Sequence, residues 1–213
     1  MLLCGLTWGS QACVEVPPAN PDDLCAIFAE RSHWASAADA ASLRWGVPVP
    51  VIMAFMHQES RFDAKARPGW TWFLGVLPLG PRSSAYGYGQ VKDGTWADYR
   101  HKSGHSDARR DAFADVADFM GWYVDWVHRV DAVEKADTYH LYLAYHEGPG
   151  GFRRGSYRAK AWLQQVARKV SLRANRYATQ YQTCNPSRTS SARAEPRLQK
   201  RSGRHTASLP PSM

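Results

Sequence analysis

Pro48-Val-Pro-Val-Ile-Met-Ala-Phe-Met-His-Gln-Glu59-Ser60-Arg-Phe62 is the stretch that decides how this chain folds. Proline is tolerated in the first helical turn, so Pro48 and Pro50 suit a helix start. Ile52, Phe55, Met56 and Glu59 then recur at steps of three and four, which places one acid on the inward, apolar face. A carboxyl at the end of a buried helix loses hydration, and that favours its neutral, proton-donating form. Such a group suits a general acid. The competing reading is an exposed helix-end acid paired with Arg61.

Two more segments bear on that choice. Ser84-Ala-Tyr-Gly87-Tyr88-Gly89-Gln90, followed by Thr95-Trp96, lies about thirty residues downstream; Tyr142-Leu-Ala-Tyr145-His146-Glu147-Gly148-Pro-Gly-Gly151 comes later. With Glu59-Ser60 these resemble, in order and rough spacing, the three signatures of the lytic transglycosylase domain family. The resemblance spans roughly Leu43 to Trp162. It implies a mainly α, lysozyme-like helical domain that cleaves the glycan strands of peptidoglycan. It also implies that Glu59 is the catalytic acid and then the base. Tyr145 would donate its hydroxyl toward Glu59, and Ser60 would hold the helix end or the substrate acetamido group. Gln90 would line the cleft, Gly87 would allow close approach of a sugar, and Gly148 would stop a helix with positive φ.

The chain departs from the family pattern at three places. Tyr88-Gly89 stands where the family carries Leu-Met, so a tyrosine is expected to stack on the sugar. His146 replaces an asparagine as a substrate-binding residue. Glu147 replaces a small residue; the expectation is that it points to solvent, and an inward orientation would let it activate water. A hydrolysing muramidase is therefore a rival reading, and a catalytically silent glycan-binding module is another. Asp63 and Asp93 read as caps or surface acids.

Composition supplies the frame. The 213 residues, 44% of them hydrophobic, suffice for one good core. Nine Trp and ten Tyr can fill that core or stack on sugar rings. The net charge is +8. Residues 185–213 hold six basic side chains against Glu195 alone, so five of those eight charges sit in a Ser/Pro-rich segment expected to be disordered. No nucleic-acid-binding motif accompanies the basic charge, and a polyanionic cell envelope would attract it equally.

Cys4, Cys13, Cys25 and Cys184 lack the paired spacing of a zinc site. Cys25 and Cys184 flank the expected folded part, so a disulfide clasping its ends is predicted, with two unpaired buried thiols as the alternative. A bond there implies an oxidising compartment. Met1 to Cys13 is mostly apolar or small and resembles a shortened lipoprotein leader with Cys13 as the lipidated residue, although it has no basic n-region and carries Ser10 where leucine is preferred. No other stretch approaches the roughly 20 apolar residues of a membrane span. His57 and Glu59, two apart on a helix, point to different faces, so neither a metal nor a cofactor is expected. His101 and His105 read as solvated.

The expected organisation is a leader and linker over 1–21, a lysozyme-like domain over 22–184 and a basic tail over 185–213, acting as a monomer in the cell envelope. Within the domain the pattern predicts one or two helices ending at Gly46, the helix of Glu59, and a hairpin or flap around Trp70–Leu79. Further helices are predicted over 111–130, 137–146 and 158–181. On the last, Trp162, Val166, Val170, Ala174, Tyr177 and Tyr181 are expected to form the apolar stripe.

Overall fold

The computed structural model describes residues 15–73, 77–81 and 83–185. The expected leader with Cys13 and the basic tail beyond Asn185 lie outside the described residues. Helices come in the order α1 (Leu24–Glu30), α2 (Ser32–Trp45), α3 (Val49–Ser60), α4 (Asp93–Ser103), α5 (Phe113–Asp131), α6 (Thr138–Arg153) and α7 (Ala161–Cys184). Strands β1 (Trp70–Phe73) and β2 (Leu77–Pro81) pair antiparallel between α3 and α4. The mainly helical, lysozyme-like expectation with a small hairpin is met.

Helix α3 runs through the centre. Its residues from Val49 to His57 are all buried, because a segment apolar on every side can only be stable with protein all round it. Ile52, Met53, Phe55 and Met56 are at most 1% exposed; burying each contributes roughly 1.5–3 kcal/mol. Pro48 caps the helix and Pro50 lies in its first turn. Helices α2, α5 and α7 pack on α3, and α6 lies against α5 and α7. Gly46 ends α2 in the left-handed conformation, as the sequence predicts.

Two capping acids fix helix starts. Asp23 accepts the Ala26 amide at α1, and Asp137 accepts the His140 amide at α6. Cys25 and Cys184 form the expected disulfide, with Cα atoms 5.8 Å apart, joining α1 to the end of α7. Among the described residues no helix is long and apolar enough to cross a membrane.

Three expectations change. Helix α4 is absent from the sequence reading, since only its Trp96 and Tyr99 are buried and a mostly polar segment carries little periodic signal. His105 is not simply solvated: Arg44 donates to its Nε2 at 2.8 Å, and Nδ1 lies 3.0 Å from the Tyr99 hydroxyl. Trp162 is 54% exposed rather than part of the α7 stripe. The stripe begins one residue later, at Leu163, and continues through Ala167, Val170, Ala174 and Tyr177.

Candidate active site

Glu59 sits in the last turn of α3. It keeps part of its surface open to solvent, yet protein crowds its carboxyl closely enough that burial lifts the pKa to about 7. The Tyr142 hydroxyl is its side-chain hydrogen-bond partner and acts in the opposite direction, favouring the ionised form. Of the described residues, no charged group contributes to the shift. Arg61, the alternative partner, does not. A carboxyl that titrates near neutrality can give up a proton and take one back at the same pH.

The ring surroundings explain the desolvation. Phe55, one turn before the acid, meets Tyr142 and Tyr145 edge-on, each with ring centroids 5.4 Å away. Tyr142 and Tyr145 are three apart on α6 and share a face. Burial and the nearby Glu59 charge push both phenols up, so both remain hydrogen-bond donors.

A turn over residues 87–90 closes one side of the site. Ser60 donates from Oγ to the Tyr88 carbonyl at 2.8 Å, and Tyr145 donates to the Gly89 carbonyl at 2.5 Å. Two consecutive carbonyls are thus held by hydroxyls from α3 and α6. Within the turn, Gln90 donates from Nε2 to the Ala66 and Gly87 carbonyls at 2.8 and 3.1 Å. Arg61, Phe62 and Gln90 adopt positive φ of 52°, 65° and 48°. Such conformations cost on the order of 1–3 kcal/mol each and persist where packing over-determines them. Phe62 is fully buried against Trp34 and His57, which supplies that packing.

A sequence model of the transglycosylase SLT domain matches residues 1–184. This chain belongs to that family. No curated protein matches the chain significantly. The family is one of peptidoglycan-cleaving enzymes, and the mainly helical fold agrees with it.

In this SLT domain several anticipated roles shift. Tyr145 does not donate to Glu59: its hydroxyl is taken by Gly89, and Tyr142 faces the acid instead. The signal for Tyr142 lies in its three-residue spacing from Tyr145, but spacing cannot say which of two phenols reaches the carboxyl. Tyr88 cannot stack on a sugar. It is fully buried, edge-on to Trp34 and Phe113. Gly87 makes room for protein rather than substrate, since a Cβ there would lie 1.9 Å from the Arg110 carbonyl oxygen. The Gln90 amide nitrogen serves its own turn. Ser60 holds the end of α3 through Met56 O and Tyr88 O.

Gly148 has the expected positive φ, 69°, with ψ 158°, a region open almost only to glycine. It stops the first helical stretch of α6, as expected, and Pro149 begins a second one to Arg153 across the kink. Glu147 does not point to solvent. Its side chain is 4% exposed and pairs with Lys160 at 2.8 Å. It also accepts from Ser156 and meets His146 Nδ1 at 3.1 Å. These partners, Lys160 foremost, hold the Glu147 carboxyl down at about 2. His146 is exposed and lies edge-on to Trp162, ring centroids 5.1 Å apart. Asp63 accepts the Lys65 amide and Asp93 pairs with Arg110, so both serve local structure.

His57 is buried in α3 two residues before the acid. It faces Phe62 and Tyr177 edge-on, with Asp22 3.5 Å from Nε2 but in no hydrogen-bond geometry. Burial, then the Arg173 guanidinium, push its pKa down to about 4, so the ring is neutral at neutral pH. Among the described residues no three metal-ligating side chains converge.

Proposed function

We propose that this SLT domain is a lytic transglycosylase that cleaves the β-1,4 bond between N-acetylmuramic acid and N-acetylglucosamine, with Glu59 as its single acid and base. The observation that carries this reading is the isolated carboxyl of Glu59, raised to about 7 by burial with no second carboxylate acting on it. A glycosidase of the two-carboxylate kind needs a partner acid to attack or to activate water. A transglycosylase does not.

In the proposed reaction protonated Glu59 gives its proton to the glycosidic oxygen as the C1–O bond breaks. The neighbouring acetamido group stabilises the anomeric carbon. Ionised Glu59 then removes the proton of the muramic 6-hydroxyl, whose oxygen bonds to C1. The proton lost by that hydroxyl restores the acid, and a 1,6-anhydro end forms with no water consumed. Tyr142 favours the ionised state between the two steps. The clamped turn, through Ser60 and Tyr145, keeps the apolar environment in place and limits competing water. His146, exposed beside Trp162, and the kink at Gly148 are assigned to the substrate side.

The hydrolysing alternative would need Glu147 as a base. A carboxylate locked to Lys160 and Ser156 is poorly suited to take a proton. The chain's working place is the cell envelope, which its disulfide fits as an oxidising compartment; lipid attachment at Cys13 belongs to the same proposal. The proposed chemistry uses side chains alone.

Digestion of purified sacculi followed by mass spectrometry of the soluble products tests the reading. Anhydro-muramic ends are expected from the native chain and from Glu147→Gln alike. Reducing ends in the native digest would replace the transglycosylase assignment by a muramidase.

A further inference from the structure

The family pattern has an apolar residue where this chain places Tyr88, and the buried phenol it introduces needs an acceptor. The acceptor comes from the segment that precedes the first helix. Tyr88 donates to Glu15 Oε2 at 3.3 Å, and the fully buried Trp34 donates its indole N–H to the same oxygen at 2.7 Å. The other oxygen meets His33 Nε2 at 2.6 Å and lies 3.8 Å from Arg31 Nη1. Arg31 also donates to the Val16 carbonyl at 2.6 Å, and Ala19 N donates to Glu30 at 3.3 Å. The segment before α1 is thereby strapped onto α1, α2 and the turn.

Both buried partners of Glu15 lead to the catalytic helix. Tyr88 carries the carbonyl that accepts from Ser60, the residue after Glu59. Trp34, stacked on Phe113 at 4.1 Å, packs on Phe62, which holds a positive φ just past the acid. We infer that Glu15 is a positioning residue for the Glu59 site, acting through Tyr88 and Trp34 to hold the 87–90 turn and the end of α3 in register. The inference rests on Glu59 being the reacting acid. Without the Glu15 acceptor, two buried donors lose their partner, and a buried polar group left unpaired draws its segment toward water. The Tyr88 hydroxyl then turns outward and its carbonyl leaves Ser60. Water reaches the Glu59 carboxyl, whose titration is otherwise governed by burial and by Tyr142.

The test uses the whole chain, with Glu15→Ala, Glu15→Asp, Glu15→Gln, Tyr88→Phe and Glu59→Gln assayed on purified sacculi across pH and melted in parallel. Glu15→Ala is expected to lower kcat about tenfold with KM within about twofold. Its alkaline limb should move down by about one pH unit as Glu59 regains hydration. Glu15→Gln retains one carbonyl acceptor and should recover most of the rate. A lower Tm in Glu15→Ala with native kcat and an unmoved limb overturns the inference, leaving Glu15 a purely structural contact. If Glu15→Ala does not fold, Glu15→Asp carries the test: its shorter side chain withdraws the acceptor from Tyr88 and Trp34, and an unmoved limb in that variant also overturns the inference, while Tyr88→Phe leaves no phenol unpaired and should keep the native limb. Failure of the acid assignment appears separately, as retained turnover in Glu59→Gln.

Discussion

The Tyr145 hydroxyl lies 2.5 Å from the Gly89 carbonyl oxygen, so α6 is tied to the site turn by the phenol that the motif alone would place on the acid. Tyr142, one turn earlier, faces Glu59. The two tyrosines thus hold different parts of the site, Tyr142 the carboxylate and Tyr145 the wall beside it.

That division predicts different consequences for two similar substitutions. Tyr142→Phe removes a bond that favours ionised Glu59, so the alkaline limb of the pH–rate profile should rise while kcat falls about tenfold. Tyr145→Phe should instead loosen the turn, lowering kcat and moving the limb down as water enters. Steady-state profiles on sacculi check both, and limbs moving in the same direction would contradict the assignment.

Glu59 also makes stability depend on pH. Its pKa is about 7 in the folded chain against 4.5 for the free group. The folded state therefore holds the proton more tightly, and its stability is fullest below about 4.5 and declines as pH rises through 7. The loss amounts to about 3 kcal/mol at most. Glu59→Gln, always neutral, should abolish turnover of sacculi by at least ~100-fold and gain in relative stability between pH 4.5 and pH 8. Denaturant melts at the two pH values read the difference.

His57 has the opposite sign. Its pKa falls from 6.5 to about 4 on folding, so the unfolded chain binds its proton first. Stability from the neutral ring is complete above 6.5 and drains away as pH drops toward 4. Burial foremost, then Arg173, Arg61 and Arg176, disfavours the imidazolium, and Asp22, itself engaged by Arg173, only partly offsets them. His57→Leu should flatten the loss of Tm between pH 6.5 and pH 4, and an unchanged slope would show that another group carries the acid sensitivity.

The disulfide closes nearly the entire described chain, across a separation of 159 residues. In the loop-entropy view, removing it costs up to ~5 kcal/mol. Cys25→Ser with Cys184→Ser should lower Tm by roughly 10–15 °C at the usual scale for this size. Turnover at 25 °C should persist, because neither cysteine is among the groups that act on the Glu59 carboxyl. Calorimetry with and without reductant on the native chain gives the same comparison.

Much of this was legible in the residues in order. The run Val49 to His57 is apolar on every side, and no partner is needed to see that such a helix must be central or that an acid at its end will be desolvated. Prolines at 48 and 50, Gly46, Gly148 and the flanking cysteines act locally or through the chain's own ends, so their reading survives folding. Side-chain destinations are different. Whether Tyr142 or Tyr145 meets Glu59 depends on how α6 is rotated against α3, and periodicity leaves a whole face equally eligible. The Tyr88 ring lies inside because Glu15, 73 positions earlier, supplies its acceptor; Glu147 turns inward because Lys160 lies across a kink that no helical pattern encodes. Local preferences fixed where the helices begin and end, but only the packing of distant segments could choose each polar group's partner, since a buried hydrogen bond is satisfied by whatever the fold brings near.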